Sequence, residues 1–213
     1  MNNIYKANFT VVTVMYIISF LSINYIEQTY IVTNERIRTS FSDRPDIDRI
    51  ESILEEKQEV SIVDSAFFGV KILGGFYLVV VSFFISAQVS GLKINFQNLS
   101  KIIIVAYVSF LVAYLIKVLW FLVIDDFTLK EFNSFYPVSL MNFFDHEEID
   151  YWMINPLQYI NAFQILFILL VSVGLVSFLK IKPIKSFIWS SITYSTILIF
   201  WIALIAFVQL SLF

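Results

Sequence analysis

The stretch "AFFGVKILGGFYLVVVSFFISA" (Ala66–Ala87) decides the fold. It is apolar over roughly the 20 residues that a helix needs to cross a hydrocarbon core of about 30 Å. One charge, Lys71, interrupts it. A second run, "FLVAYLIKVLWFLVI" (Phe110–Ile124), repeats the pattern with Lys117 inside. An ionisable group in such a run is costly to insert, so each lysine calls for a partner or a route to the headgroups.

Working outward, five segments read as spanning helices: Phe9 to Tyr25 or Tyr30, Ala66–Val89, Ile102–Ile124, Leu157–Leu179 and Phe187–Phe213. None alternates polar and apolar residues as a membrane β-strand does. Every backbone amide must also be paired inside lipid, which a helix achieves alone. The expected class is an all-α polytopic integral membrane protein with five transmembrane helices. Its two long loops are expected outside the cytoplasm, with short amphipathic helices in them. Residues 1–65 form an anchor and an acidic loop, and residues 66–213 a four-helix membrane domain. The first run has Lys6 ahead of it but no small-residue cleavage pattern after it, so it reads as an uncleaved anchor.

Composition agrees. Hydrophobic residues make up 59% of the chain and charged residues 15%, against about a quarter charged in an ordinary soluble domain. A net charge of -3 with no basic stripe excludes a nucleic-acid partner. With no cysteine and a single histidine, His146, neither a disulfide framework nor a multi-imidazole metal site can be built.

The connections differ in charge. The N-terminus, "GLKINFQNLSK" and "KIKPIK" carry lysine without acid, whereas Glu27–Ser65 and Asp125–Pro156 hold all 17 acidic residues. This places the N-terminus in the cytoplasm and the C-terminus outside. Counted by lysine and arginine alone, the two sides tie, but the cluster Lys180, Lys182 and Lys185 favours the same orientation. In the first loop, "SDRPDIDRIESILEEKQE" sets Ile47, Ile50 and Leu54 on one helical face behind Pro45. In the second, "TLKE" (Thr128–Glu131) fits a capping box. Tyr136, Tyr151 and Trp152 suit the headgroup level, and Asn155–Pro156 reads as the cap and first residue of the fourth span.

Catalytic constellations are missing. "DHEEID" (Asp145–Asp150) lacks a second imidazole and the spacing of a zinc helix, and reads as a solvated acidic loop. Serines in the spans have no histidine base beside them. The chain is therefore expected to be no enzyme and to need no cofactor or metal.

The polar residues of the spans gather toward the acidic loops. Lys71 and Lys117 lie at similar depth. Small residues (Gly74, Gly75, Ser82, Ser86) share the face of Lys71, which points that face toward protein. Asn161, Gln164 and Glu27 lie near the same level. Lys71, Lys117, Asn161, Gln164 and Glu27 form the candidate binding cluster. They either bond to one another or line a pocket for an anionic or polar group such as a lipid head. The other half of the bundle reads as almost purely apolar.

A resemblance becomes visible across residues 69–213. "LQYINAFQILFILLVSVGLVSFLKIKPIKSFIWSSITYSTILIFWIAL" resembles the C-terminal half of the Yip1 domain, with Asn161, Phe163 and Gly174 as its firmer points. "SGLKINFQNLSKIIIVAYVSFLVAYLI" is similar to that family's basic link between spans, with Gly91 at the turn. The long acidic loop after the first span departs from many members. The resemblance implies five spans, a cytoplasmic N-terminus and no enzyme activity. The expected role is a non-catalytic scaffold or accessory subunit in a bacterial inner membrane. Its partners would be the lipid bilayer and other membrane proteins or further copies of itself. The alternative is a component of a membrane transport or export system.

Overall fold

The computed structural model describes residues 9–40, 61–124, 126–144 and 149–212. Five helices in it are long and apolar enough to cross a membrane, so the chain is an all-α polytopic membrane protein. Helix α1 (Phe9–Ile26) runs into a π-helical segment, Glu27–Ile31, and is followed by the short α2 (Asn34–Ser40). The second and third spans are α3 (Ser61–Val89) and α4 (Phe96–Val123). A folded connection follows, with α5 (Leu129–Ser134), a 3-10 turn (Leu140–Phe143) and α6 (Tyr151–Tyr159). The last two spans are α7 (Ala162–Leu179) and α8 (Pro183–Leu212). The amphipathic helix expected around Ile47–Leu54, the "DHEE" stretch and the side chains of Lys71 and Tyr151 lie outside the described residues.

Local chemistry explains the boundaries. Helix α3 ends on Gly91, whose φ of 69° is costly for any residue with a Cβ. There the Leu92 amide donates to the Ala87 carbonyl and the Gly91 amide to Gln88. Asn95 then caps α4, its side chain accepting from the Asn98 amide at 2.8 Å. Pro183 opens α8 at a position where an amide hydrogen would have no helical partner. Thr128 and Glu131 form the expected capping box at α5.

The fourth span corrects the sequence reading. Pro156 does not open it; it sits inside α6. The helix stops at Ile160 because the backbone there is taken. The Leu140 amide donates to the Ile160 carbonyl, and the Ala162 amide to the Val138 carbonyl. A helix cannot run through residues already paired with another segment. Val138 accepts a positive φ of 52° to make this short bridge, a strained geometry for a β-branched residue. Asn161, not Asn155, is the cap of α7.

Contacts fix the helix directions. Tyr16 meets Tyr107 and Phe20 meets Tyr114, so α1 and α4 run parallel. Phe76 meets Tyr107 whereas Phe84 meets Phe96, so α3 and α4 run antiparallel. The core is aromatic. Phe167 of α7 touches Phe83, Tyr107, Phe110 and Tyr194. Lipid is as apolar as these side chains, so burial itself gives little drive to associate. Close packing and interhelical hydrogen bonds carry more of the specificity.

A second correction concerns α3. Its buried seam is Phe76, Val80, Phe83 and Ala87, while Gly74 and Gly75 are exposed. A Cβ at either glycine would meet nothing within 4 Å among the described residues. Large side chains at a, d-type spacing fill the interface; of the expected small-residue face Gly74 and Gly75 are left out of it, whereas Ser86 bonds to α8.

Candidate functional site

At the end of the bundle that carries α5 and α6, here the loop end, polar side chains converge on Tyr114 of α4. Its ring stacks on Phe20 of α1, with centroids 4.7 Å apart. Its hydroxyl donates to Oε2 of Glu27 at 2.5 Å and receives a long bond from Nδ2 of Asn24 at 3.4 Å. Glu27 opens the π-helical segment, whose wide turn is closed by the Val32 amide donating to the Glu27 carbonyl at 2.9 Å. Such insertions re-aim side chains and recur at functional sites. Arg36 closes the segment from the far side: its Nη1 donates to the carbonyls of Tyr30 and Ile31, each at 3.1 Å.

Lys117 lies one turn beyond Tyr114 on the same helix and is half-buried. Its ammonium sits 4.2 Å from the centre of the Phe132 ring. Tyr114, which bonds Glu27, stands one turn before Lys117, so the carboxylate and the ammonium belong to the same end of the bundle. Phe132 packs on Phe121, one turn further toward the loop end than Lys117. The stem of the lysine thus carries its charge away from the middle of the span. A second cation repeats the device: Arg36 lies 4.0 Å from the centre of Phe127. Phe127 and Phe132 both touch Phe121, so two cations rest on one aromatic cluster. Cation–aromatic contacts of this kind contribute about 0.5–2 kcal/mol, more where water is excluded.

Asn161 and Gln164 stand apart from this group. Asn161 has a structural task, accepting at Oδ1 from the Gln164 amide at 3.1 Å and donating from Nδ2 to the Gln158 carbonyl at 2.8 Å. The Gln164 side chain accepts from the Tyr194 hydroxyl of α8. Gln158 in turn donates to the Asn133 carbonyl at 2.7 Å, fastening α5 to α6. Tyr136, outside the spans in this connection, has its phenol pKa pushed up by burial first and by neighbouring Tyr159 second. The structure therefore brings Glu27 and Lys117 together and gives Asn161 and Gln164 a separate network.

A third polar feature, of which the sequence showed only the serine row of α3, corrects the expectation of an apolar other half. Helix α8 is tied to α3 by Ser86 and Thr193, whose hydroxyls lie 2.8 Å apart, and by Trp189 Nε1 donating to Ser90 at 3.0 Å. It is tied to α7 by Tyr194 to Gln164 and by Ser186 donating to the Ser172 carbonyl at 2.8 Å. Both ladders step in opposite directions on the two helices, as antiparallel neighbours require. Ser186, Ser190 and Tyr194 recur at i, i+4, and that spacing could have exposed the seam. Ser190 is fully buried, and its hydroxyl has no hydrogen-bond partner among the described residues.

In comparisons with protein-family models, curated proteins and solved structures, nothing matches this chain.

Proposed function

We propose that the chain is a non-catalytic scaffold or accessory subunit that contacts other membrane proteins or lipid. We place it in a bacterial inner membrane with its N-terminus in the cytoplasm and its loop end outside. One observation supports this reading above the others: polar side chains on all five spans bond from one helix to another. Ser86, Ser90, Gln164, Ser172, Ser186, Trp189, Thr193 and Tyr194 hold α3, α7 and α8 together, and Glu27, Asn24 and Tyr114 hold α1 to α4. Groups used this way tie the spans into one stiff body. The likeness of residues 69–213 to the Yip1-domain pattern supports the same role.

The alternative, a component of a transport or export system, draws on the partnerless Ser190 hydroxyl buried between two rungs of the α7–α8 ladder. A buried polar group without a bond is costly, and a path for polar solutes would use one.

Purification of the full chain from its native membrane in mild detergent tests the proposal. A second membrane protein recovered in fixed ratio is the expected result. Recovery of a lone chain, with solute flux in reconstituted vesicles, would overturn the scaffold reading in favour of transport.

A further inference from the structure

We infer that the end of the bundle opposite α5 and α6 is a contact surface for the phosphates of anionic phospholipids, centred on Lys182 and Lys185. Charge comes first. The turn from α3 to α4 and the turn from α7 to α8 both lie at this end, and the Trp189 indole, donating to Ser90 at 3.0 Å, holds them side by side. Together they present Lys93, Lys180, Lys182 and Lys185, all exposed, with Lys101 half-buried behind them. None of these ammonium groups has an ion pair or a hydrogen bond among the described residues. The acidic side chains among the described residues (Glu27, Glu35, Asp126, Glu131 and Asp150) all belong to the loop end. The sequence supplies none to the four helices and turns concerned: residues 65–124 and 157–213 contain neither aspartate nor glutamate.

The fold does not ask for lysine at the two central positions. The Ser186 amide donates to the Lys182 carbonyl, so Lys182 occupies the cap position of α8 and Lys185 lies in its first turn. Caps are ordinarily Ser, Thr, Asp or Asn, and an ammonium has no lone pair to offer a free amide. Positive charge in a first turn also opposes the helix dipole. Elsewhere the chain keeps to the rule, with Asn95 at α4 and Thr128 with Glu131 at α5. The kind of anion follows from what lies beneath Lys185. Ile188, Ile192 and Ile199 stand at i+3, i+7 and i+14 from it, on one helical face with it, and are 51%, 64% and 67% exposed. An acyl chain can lie along that row while its phosphate meets the ammonium; a free anion would have no use for the row. Lysine stems at the end of a span reach the headgroups, and each basic side chain near an anionic leaflet adds to the attraction.

This surface deepens the lipid side of the proposed function and rests on it. The two fail separately, because the partner test reads a second protein and the present one reads the purified chain alone. The chain is melted in neutral detergent while phosphatidylglycerol or phosphatidylcholine is titrated in. Phosphatidylglycerol stabilises the wild type at the lower concentration. Lys182→Gln with Lys185→Gln raises the concentration needed by roughly fivefold for each lysine removed. Arginine at both positions, or Lys130→Gln at the loop end, leaves the response as in the wild type. An equal response of the wild type to both lipids, an unchanged response in the glutamine pair, or an equal loss in Lys130→Gln overturns the surface. Stabilisation by glycerol phosphate equal to that by phosphatidylglycerol overturns the lipid assignment in favour of a free anion. A second measurement needs no variant. Phosphatidylglycerol slows the reaction of an amine reagent with Lys182 and Lys185, read by peptide mass, more than its reaction with Lys130; uniform slowing, or none, contradicts the inference.

Discussion

The Tyr114 hydroxyl donates to the Glu27 carboxylate at 2.5 Å across the contact between the first and third spans. Few residues are less suited to a span than a glutamate. The π-helical segment that begins at Glu27 lies against α4, where Tyr114 bonds the carboxylate and Lys117 stands on the next turn of the same helix. One span is thereby keyed to another by residues 87 positions apart.

Glu27 and Lys117 should be energetically coupled. Either Glu27→Gln or Lys117→Met alone leaves one charge without its counterpart. The double variant should recover part of the loss, with a coupling on the order of 1 kcal/mol. Both groups are half-exposed, which holds the figure near the low end. Melting of the four proteins in one detergent measures it; strict additivity would remove the pair from the account.

Asn161→Ala should destabilise the fold by about 1 kcal/mol, the usual cost of losing a side-chain helix cap. The Gln164 amide would be left without its side-chain acceptor. Asn161→Ser keeps a side-chain cap acceptor and should recover most of that loss. If both substitutions cost the same, capping is not what the residue does.

Gly75→Ala should be harmless or slightly stabilising, by about 0.5–1 kcal/mol, because alanine is the better helix former and no atom lies within 4 Å of the added methyl. The same substitution tests whether anything packs on this face in the cell. Normal melting in detergent combined with poor accumulation in the native membrane would point to a partner helix seated on the glycines.

The polar ladders should be worth little singly. Double-mutant cycles on membrane proteins put an interhelical hydrogen bond near 0.6 kcal/mol. Thr193→Val should cost about that, and Ser86→Ala in the Thr193→Val background should then cost almost nothing. An undiminished second loss would show that these hydroxyls do not bond each other.

How much of this was legible in the sequence depends on the range of the forces involved. The five spans were, because crossing lipid demands length and apolarity, and both are local. The capping box at Thr128 was legible for the same reason. The start of the fourth span was not: Asn155–Pro156 carries a sound local signal, but the backbone bonds from Val138 and Leu140 end α6 at Ile160. The buried face of α3 was misjudged at Gly74 and Gly75, though not at Ser86, because small residues permit close approach without compelling it, and the Phe76–Ala87 seam filled the space there instead. At the site, Glu27 and Lys117 stood out as charges in oily runs. Tyr114, Phe132 and the serines of α8 did not, since in isolation each is an ordinary residue of a membrane helix.

The most direct test of the bundle itself uses the absence of cysteine from the native chain. Ser86→Cys and Thr193→Cys, introduced together, place two thiols where the hydroxyls now lie 2.8 Å apart, within the range of side-chain positions that a disulfide can join. Mild oxidation in intact membranes should crosslink this pair in most molecules, while a Gly74→Cys/Thr193→Cys control stays uncrosslinked. Crosslinking of the control with none in the Ser86/Thr193 pair would contradict the packing of α8 on α3, and with it the helix-to-helix bonding on which the account rests.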